Sequence, residues 1–303
     1  MVKRQLVIAT RQSRLALWQA NFVRDQLLAT HPGLSVELLG LTTQGDKWLN
    51  APLAAVGGKG LFIKELEQAL ADGRADLAVH SAKDLPAALP EGFALPVIAF
   101  RADVRDALVA AGVGLQALPR GARVGSSSLR RQAQLLRVRP DLQVSPVRGN
   151  VETRLSKLGS DFDALVLACA GLERLELVAQ ITERLPVEVC LPAAGQGALA
   201  IECRADATEV LELLAPLDDP STRAEVTAER AVSAGLGADC SAPLAAFATP
   251  DDAGLRLRAR LAAPDGSRLL SAEVVGVDPQ AMGAAVVEDL LAQGAAQLLH
   301  AGD

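Results

Sequence analysis

Short apolar runs alternate with longer amphipathic segments through the first part of this chain, and that alternation limits the fold more than any other feature. The runs QLVIAT (5–10), VELLGLT (36–42) and ADLAVHS (75–81) have the length of buried strands. The segments between them have the length of helices, and Ser13 stands where a helix N-cap is expected. Strands separated by such helices predict a parallel α/β sheet with right-handed crossovers.

A second series of the same kind follows Arg101. The predicted strands are ARVGS, LQVSPV (142–147) and DALVLA (163–168), and the predicted helices between them are SSLRRQAQLLRVR and NVETRLSKL. The sequence therefore predicts a second α/β unit, although no internal repeat is visible in the residues themselves.

The pattern changes after Asp218. A predicted helix, TRAEVTAERAVSAG, leads into a loop, and LRLRARL (255–261) then alternates strictly and turns through PDGS into RLLSAEVV. Such alternation around a turn is typical of an antiparallel hairpin. A last helix is predicted over roughly 279–299. The expected architecture is α/β: two α/β domains followed by a smaller C-terminal α+β domain.

Composition excludes several classes of protein. No apolar run in the 303 residues approaches the ~20 that a membrane helix needs. The apolar run near the N-terminus, Leu6 to Ala9, is too short for a signal peptide. We therefore expect a cytoplasmic protein that does not engage a membrane. The chain has three histidines and no tyrosine, so a nucleophile–histidine–acid triad would have to use His80.

The four cysteines form no CxxC pair and have no histidine at zinc-binding spacing, so no metal site is expected. Cys169 and Cys203 follow apolar runs and are predicted to be small core residues. Cys240 differs, because it stands in the loop-like stretch GLGADCSAP (235–243). A thiol in that setting needs another explanation.

Positive charge is concentrated in one stretch. The chain has a net charge of −6, yet residues 120–157 carry nine basic and two acidic residues. Eight of the nine are arginine, whose planar fork matches carboxylates and phosphates. The net negative charge of the whole chain and its 3% aromatic content disfavour nucleic acid as the ligand. Two interpretations stay open: a solvated helix face or a site for a small polyanion.

Polar residues follow three of the predicted strands. VHSAKDLP places Ser81, Lys83 and Asp84 beyond a strand. SSSLRRQ places three hydroxyls and two arginines at a predicted helix start, and VRGN places Arg148 before Asn150, a predicted helix cap. Ligands of open α/β sheets bind beyond the carboxyl ends of the strands, where helix N-termini attract anions. The alternative for Lys83 and Asp84 is that they pair with each other on the surface.

Two further glycine-rich patterns are weaker. GGKG (57–60) lacks the glycine of a P-loop, so Lys59 marks either an anion site or a tight turn. GVGLQA (112–117) matches a dinucleotide pattern, but Pro119 interrupts any helix that could face a pyrophosphate. We therefore discount the second pattern.

The chain closely resembles the porphobilinogen deaminase (hydroxymethylbilane synthase) family over nearly its whole length. The matching stretches are IATRQSRLALWQA, VGGKGLF, AVHSAKDLP, VGSSSLRRQAQL, VRGNVETRLSKL, LACAGLERL, LPAAGQGALAIECR and TAERAVSAGLGADCSAPL. The resemblance implies a three-domain fold related to periplasmic solute-binding proteins. Its expected domains are 1–99 with 197–217, 100–196, and 218–303.

The resemblance also implies an activity. The family is a transferase of tetrapyrrole (porphyrin and heme) biosynthesis that condenses four porphobilinogen molecules, with loss of ammonia, and releases linear hydroxymethylbilane. Cys240 matches the residue that carries the family's dipyrromethane cofactor through a thioether, and Asp84 matches the catalytic carboxylate. A monomer is expected by analogy.

The resemblance assigns the remaining site residues to cofactor and substrate binding. Matching the family's carboxylate-binding, polar and ring-packing positions are Arg11, Ser13, Lys59, Phe62, Ser81, Lys83, Ser127, Ser128, Arg130, Arg131, Arg148, Asn150, Arg154, Arg174 and Gln196.

Some positions depart from the family's pattern. Ala55 replaces a common lysine, Gly235 replaces a frequent arginine, and Ala238 and Asp239 precede Cys240 in place of two glycines. Asp239 is expected to raise the pKa of the neighbouring thiol, which would oppose tether formation. The competing hypothesis is a non-catalytic polycarboxylate-binding protein on the same two-lobed fold, which would need the arginines but not Cys240.

Overall fold

The computed structural model describes residues 5–47, 63–239 and 241–300. It divides into two compact units, the first of residues 1–101 with 198–223 and the second of residues 102–197 with 224–303. Lys59, Phe62 and Cys240 lie outside the described residues.

The first unit is built on a five-stranded sheet whose strand order is β2-β1-β3-β10-β4. The first three run parallel, and β10 is antiparallel to both of its neighbours. The strands are β1 (Gln5–Arg11), β2 (Ser35–Leu41), β3 (Leu77–Ser81), β4 (Phe93–Ala99) and β10 (Leu199–Arg204), with helices α1 (Arg14–Thr30), α2 (Gln44–Lys47), α3 (Lys64–Ala71) and α7 (Thr208–Leu214).

The second unit contains a sheet of the same pattern, in the order β7-β6-β8-β5-β9. Here β6 runs parallel to β7 and β8, and β5 is antiparallel to its neighbours. The strands are β5 (Asp106–Ala110), β6 (Arg123–Gly125), β7 (Gln143–Ser145), β8 (Ala164–Ala168) and β9 (Glu183–Arg184), with helices α4 (Leu129–Val138), α5 (Val151–Leu155) and α6 (Cys169–Arg174).

An antiparallel sheet of three strands completes the second unit. Its strands are β11 (Leu244–Asp251), β12 (Gly254–Ala262) and β13 (Leu269–Gly276). The helices of this part of the chain are α8 (Pro220–Gly235), whose first turn belongs to the first unit, α9 (Pro279–Ala292) and α10 (Ala295–His300). The inward residues of β12, such as Leu257 and Leu261, are fully buried against Val286 and Leu290 of α9. The strict alternation of LRLRARL therefore reflects a sheet with one buried face.

The predicted strands and helices of both α/β series are confirmed, and so is the β12–β13 hairpin. The predicted strands of each series run parallel to one another, as expected. Each sheet also contains a strand that the sequence analysis did not identify, β10 or β5, and that strand runs antiparallel to its neighbours. The prediction of a single last helix was wrong. Gly294, at φ +97°, separates α9 from α10, and a residue with this positive φ does not continue a helix.

The division into three domains stays a prediction. The second and third sheets belong to one contact unit, and Gln132 of α4 donates a hydrogen bond to the Pro264 carbonyl in the turn between β12 and β13. Cys169 and Cys203 are buried core residues, as predicted.

Helices α8 and α9 approach so closely at Gly283 that a methyl group there would lie 2.3 Å from the Ala231 Cβ. We predict that Gly283→Ala lowers the free energy of unfolding. Overpacking costs about 1–3 kcal/mol, against about 1 kcal/mol gained by removing a helical glycine. Thermal or urea denaturation measures the change.

The matched control moves the methyl group from one helix to the other. Gly283→Ala combined with Ala231→Gly should recover part of the lost stability, because it frees the space that the new methyl group needs. A double variant less stable than Gly283→Ala would contradict the packing explanation.

Candidate active site

The turn after β3 presents Asp84. Residues Ala82–Asp84 form one 3₁₀ turn, anchored where the Ala82 N–H donates to the Ala198 carbonyl (3.0 Å). At the end of β3, the Ser81 hydroxyl accepts a hydrogen bond from Gln19 Nε2 (2.8 Å). The Asp84 side chain is exposed and makes no hydrogen bond or ion pair with other residues that the structure describes. Its position is therefore fixed by the backbone while its carboxylate is open to a ligand.

The neighbouring His80 is turned inward. Its Nε2 lies 2.8 Å from Glu202 Oε2, and both side chains are buried. The imidazole of His80 is therefore paired with the buried Glu202. This pairing does not support a nucleophile–histidine–acid triad that uses His80. The sequence analysis did not single out Glu202, although a charged residue within the apolar strand LAIECR was a usable signal.

Arg11 and Ser13 lie at the same carboxyl edge of the first sheet. Arg11 is the half-buried last residue of β1, and the Ser13 hydroxyl caps α1 by accepting from the Ala16 N–H (3.3 Å). Strands β1 and β3 are parallel neighbours, so their ends lie side by side. Within the first unit, the structure therefore gathers Arg11, Ser13, Ser81, Lys83 and Asp84.

The second unit gathers hydroxyls at the start of α4. The Ser128 hydroxyl caps this helix, accepting from the Arg131 N–H (3.4 Å). The Ser127 hydroxyl donates to the Val147 carbonyl (2.5 Å) and accepts from the Val147 N–H (3.1 Å). This double link fixes the start of α4 against the segment that follows β7.

The start of α5 adds two arginines to this edge. Asn150 caps the helix through a 2.8 Å hydrogen bond from the Thr153 N–H, as the sequence predicts. Arg154 Nε donates to the Gly149 carbonyl (2.8 Å). Arg148 is half-buried and forms no hydrogen bond or ion pair within the described part of the chain. Because β6 and β7 are parallel neighbours, the residues after them form one cationic edge.

Arg130 and Arg131 point into the interior, where both bind Asp106. Arg130 Nη1 lies 2.8 Å from Asp106 Oδ2, and Arg131 Nη2 lies 2.7 Å from Oδ1. Burial alone would raise the pKa of Asp106, but the two guanidiniums outweigh it and hold that pKa well below its usual range. Asp106 therefore stays ionised throughout the working pH range.

Gln196 also acts on this acid. Its Nε2 donates to Asp106 Oδ1 (2.9 Å) and to the Val104 carbonyl (2.6 Å). The structure thus places a residue that the sequence analysis assigned to ligand binding in contact with the buried carboxylate.

Other arginines of the basic stretch serve the fold. Arg123 pairs with Asp163 at the surface (3.0 Å). Arg139 pairs with Asp141 (2.7 Å) and donates to several carbonyls of residues 115–119. The charge of residues 120–157 therefore overstates the positive charge that a ligand could meet.

Arg174 is the buried last residue of α6. Its Nη2 donates to the Gly197 carbonyl (2.6 Å), and burial lowers its pKa to about 10, so it remains charged at neutral pH. Gly197 has φ +90°, and a Cβ there would lie 2.5 Å from the Ala102 carbonyl oxygen. Arg174 is thus held beside a backbone contact that requires glycine.

Asp239 and Ser241, which flank Cys240 in the sequence, are hydrogen-bonded to each other. The Asp239 carboxylate accepts from both the backbone N–H (2.8 Å) and the hydroxyl (2.5 Å) of Ser241. This acid, a departure from the family's pattern, is thus used locally and is exposed to water.

The described residues hold no group of three or more His, Cys, Asp or Glu suited to a metal ion. Within the same residues, no helix combines the length and the apolar character needed to cross a membrane.

Solved structures give distant matches. The VFT2 domain of Bordetella pertussis BvgS (double mutant F375E/Q461E) has a TM-score of 0.44 at 18% identity, covering 71% of this chain and 86% of that one. The periplasmic aliphatic sulphonate binding protein SsuA from Escherichia coli has a TM-score of 0.41 at 14% identity, covering 76% and 70%. Both TM-scores are below 0.5.

The sequence comparisons are much closer. The family model "Porphobilinogen deaminase, dipyromethane cofactor binding domain" matches residues 6–212, and "Porphobilinogen deaminase, C-terminal domain" matches residues 223–292. The porphobilinogen deaminase of Syntrophotalea carbinolica is 53% identical over 302 residues, which cover 98% of this chain and 96% of that protein. The chain belongs to the porphobilinogen deaminase family.

Proposed function

We propose that this protein is a hydroxymethylbilane synthase that works through Asp84, Cys240 and the arginines of the second unit. The observation that carries the proposal is the open Asp84 carboxylate on a fixed turn at the carboxyl edge of the first sheet. Ligands of α/β sheets bind at this edge. The family's reaction, in which porphobilinogen loses ammonia and is joined to a growing chain, needs an acid in such a position.

The described residues have the right chemistry for the dipyrromethane cofactor. Its two pyrrole rings each carry an acetate and a propionate, so it presents four carboxylates. The cationic edge after β6 and β7 offers Arg148, Arg154 and the Ser128 hydroxyl to such groups, and Ser127 anchors this edge by donating its one proton to the Val147 carbonyl. Arginine pairs with carboxylates through two parallel hydrogen bonds, which favours it over lysine there. When bound, the cofactor supplies a nucleophilic pyrrole carbon on which the chain is extended.

Cys240 is the proposed attachment point. A thiolate is a soft nucleophile that can capture an electrophilic pyrrole-methylene carbon, and the resulting C–S bond does not hydrolyse readily. The other cysteines are unsuited, because all three are buried and burial raises each pKa, that of Cys203 to about 11 and those of Cys169 and Cys190 to about 12.

Asp84 is the proposed catalytic residue. Loss of ammonia leaves a cation on the substrate pyrrole, and a nearby carboxylate stabilises that charge as it develops. The same carboxylate can accept a proton when the ring is restored. Glu202 cannot take this role, because it is fully buried against His80.

The competing hypothesis of a non-catalytic polycarboxylate binder explains the arginines but not the exposed acid or the cysteine in the 235–243 loop. We also propose that the protein acts in the cytoplasm, a reducing compartment in which the free state of Cys169, Cys190 and Cys203 is expected. The proposal that it is a monomer rests on analogy with the family.

Asp84→Asn should bind substrate yet lose condensation, because an amide carries neither the negative charge nor a useful proton acceptor. Loss of one preorganised electrostatic contact costs about 100- to 1,000-fold in kcat. Steady-state turnover measures it. Asp72→Asn, which changes an exposed acid of the same unit, is the control and should keep normal turnover. Substantial activity in Asp84→Asn would move the role to another residue.

Cys240→Ser should give folded protein with no covalent adduct and almost no activity, since the hydroxyl is a much poorer nucleophile. Intact mass measures the adduct directly. Cys169→Ala removes a buried cysteine and should keep the adduct. Near-normal turnover in Cys240→Ser would overturn the attachment site, and an unmodified mass in the unaltered protein would favour the binder.

Arg148→Leu should either prevent cofactor loading or stall elongation after one to three added pyrroles, because a carboxylate loses its cation. Arg148→Lys should recover only part of the function, since an ammonium makes no paired hydrogen bonds. Intact mass after brief exposure to porphobilinogen separates the two outcomes. Arg123→Leu, which removes an arginine already paired with Asp163, should behave normally. A normal series of adducts in Arg148→Leu would mean that this arginine is only solvated.

A further inference from the structure

We propose that Asp106 is a positioning residue that sets the geometry of Arg130 and Arg131 for the ligand's carboxylates. The inference rests on the proposed function and adds a residue to it. Asp106 is fully buried at the start of β5, and its role depends on these two arginines.

The hydrogen bonds of Asp106 are saturated. Oδ1 accepts from Arg131 Nε (2.9 Å), Arg131 Nη2 (2.7 Å) and Gln196 Nε2 (2.9 Å). Oδ2 accepts from Arg130 Nη1 (2.8 Å) and the Cys190 thiol (3.2 Å). A carboxylate has about four lone-pair sites, so five donors leave it no freedom to turn.

The two arginines would not converge without this acid. Arg130 and Arg131 are consecutive residues of α4, and side chains one residue apart on a helix do not face each other. Their guanidiniums nevertheless meet at one carboxylate. Carbonyls of Leu191 and Val166 accept one further bond from Arg130 and Arg131 respectively, which fixes the planes of both forks.

The charges of the cluster do not cancel. Two guanidiniums face one carboxylate, and the Cys190 thiol stays neutral because burial raises its pKa to about 12. The cluster therefore keeps one positive charge. A buried ion cluster contributes little net stability, whereas it can specify a geometry. A role in positioning the two arginines therefore explains the buried Asp106 better than a contribution to folding stability does.

This leads to a test in which charge and position have opposite effects. Asp106→Asn raises the positive charge of the cluster but replaces an acceptor oxygen by an amide donor that faces guanidinium donors. If charge alone governed binding, the variant would bind carboxylates more tightly. If Asp106 positions the arginines, it binds them more weakly.

The experiment measures reversible binding of porphobilinogen by calorimetry in a Cys240→Ser background, and cofactor loading by intact mass in the otherwise unaltered chain. We expect Asp106→Asn to weaken binding by about tenfold or more, which corresponds to about 1.4 kcal/mol, and to reduce the loaded fraction. Asp163→Asn is the matched control. It removes the same charge from the same sheet's surface, frees Arg123, and should leave binding and loading unchanged.

A second variant covers the case in which Asp106→Asn does not fold. Gln196→Leu removes one donor to Oδ1 and keeps all three charges, so it should weaken binding severalfold. Unchanged or tighter binding in the folded variant overturns the inference. If the Cys240→Ser protein does not bind porphobilinogen and the unaltered protein carries no adduct, the proposed function itself is refuted. The two failures are therefore distinguishable.

Discussion

The hydrogen-bonded carboxylate of Asp106 joins three separate parts of the second unit. It lies on β5 and receives donors from α4 and from Cys190 and Gln196, which precede residue 197. Moving an ion into a protein interior costs several kcal/mol, and only good geometry with full hydrogen bonding offsets that cost. Once the acid is buried, the arginines of α4 have little freedom. The orientation of Arg130 and Arg131 is thus set from the interior of the unit.

The two sheets repeat one arrangement although the sequence shows no repeat. In each, the first strand of a parallel trio lies in the middle, and an antiparallel strand lies fourth. Parallel strands bring the residues that follow them to one edge, and helices begin there. The first sheet places the Asp84 carboxylate at this edge beside Arg11 and Ser13, and the second places arginines and hydroxyls there. One topology therefore supplies two kinds of chemistry.

Much of this could be predicted from local patterns. Apolar runs located the parallel strands, and Ser13 and Asn150 cap helices where the sequence indicated. Strand direction could not be predicted for β10 and β5, because it depends on where the chain returns from and not on the residues of the strand. The break at Gly294 was readable as a helix-ending glycine but was missed.

The site was predicted as a set of residues, not as a set of contacts. Counting arginines gave a strongly positive stretch, but the count does not show that Arg123 and Arg139 are neutralised by Asp163 and Asp141. Their acidic partners lie 40 and 2 residues away respectively. Only the folded structure shows which arginines pair with acids of the protein and which are available to a ligand.

The contrast between two acids of the first unit explains why the chemistry falls to Asp84. Glu202 lies on β10 with one oxygen bound to His80 and the other, Oε1, buried without a hydrogen-bond partner among the described residues. Such an acid cannot reach a substrate. Asp84 follows β3 directly, so the same strand that buries His80 carries the exposed acid to the edge of the sheet. The chain therefore passes from the buried His80 to the exposed Asp84 within four residues at the end of the strand.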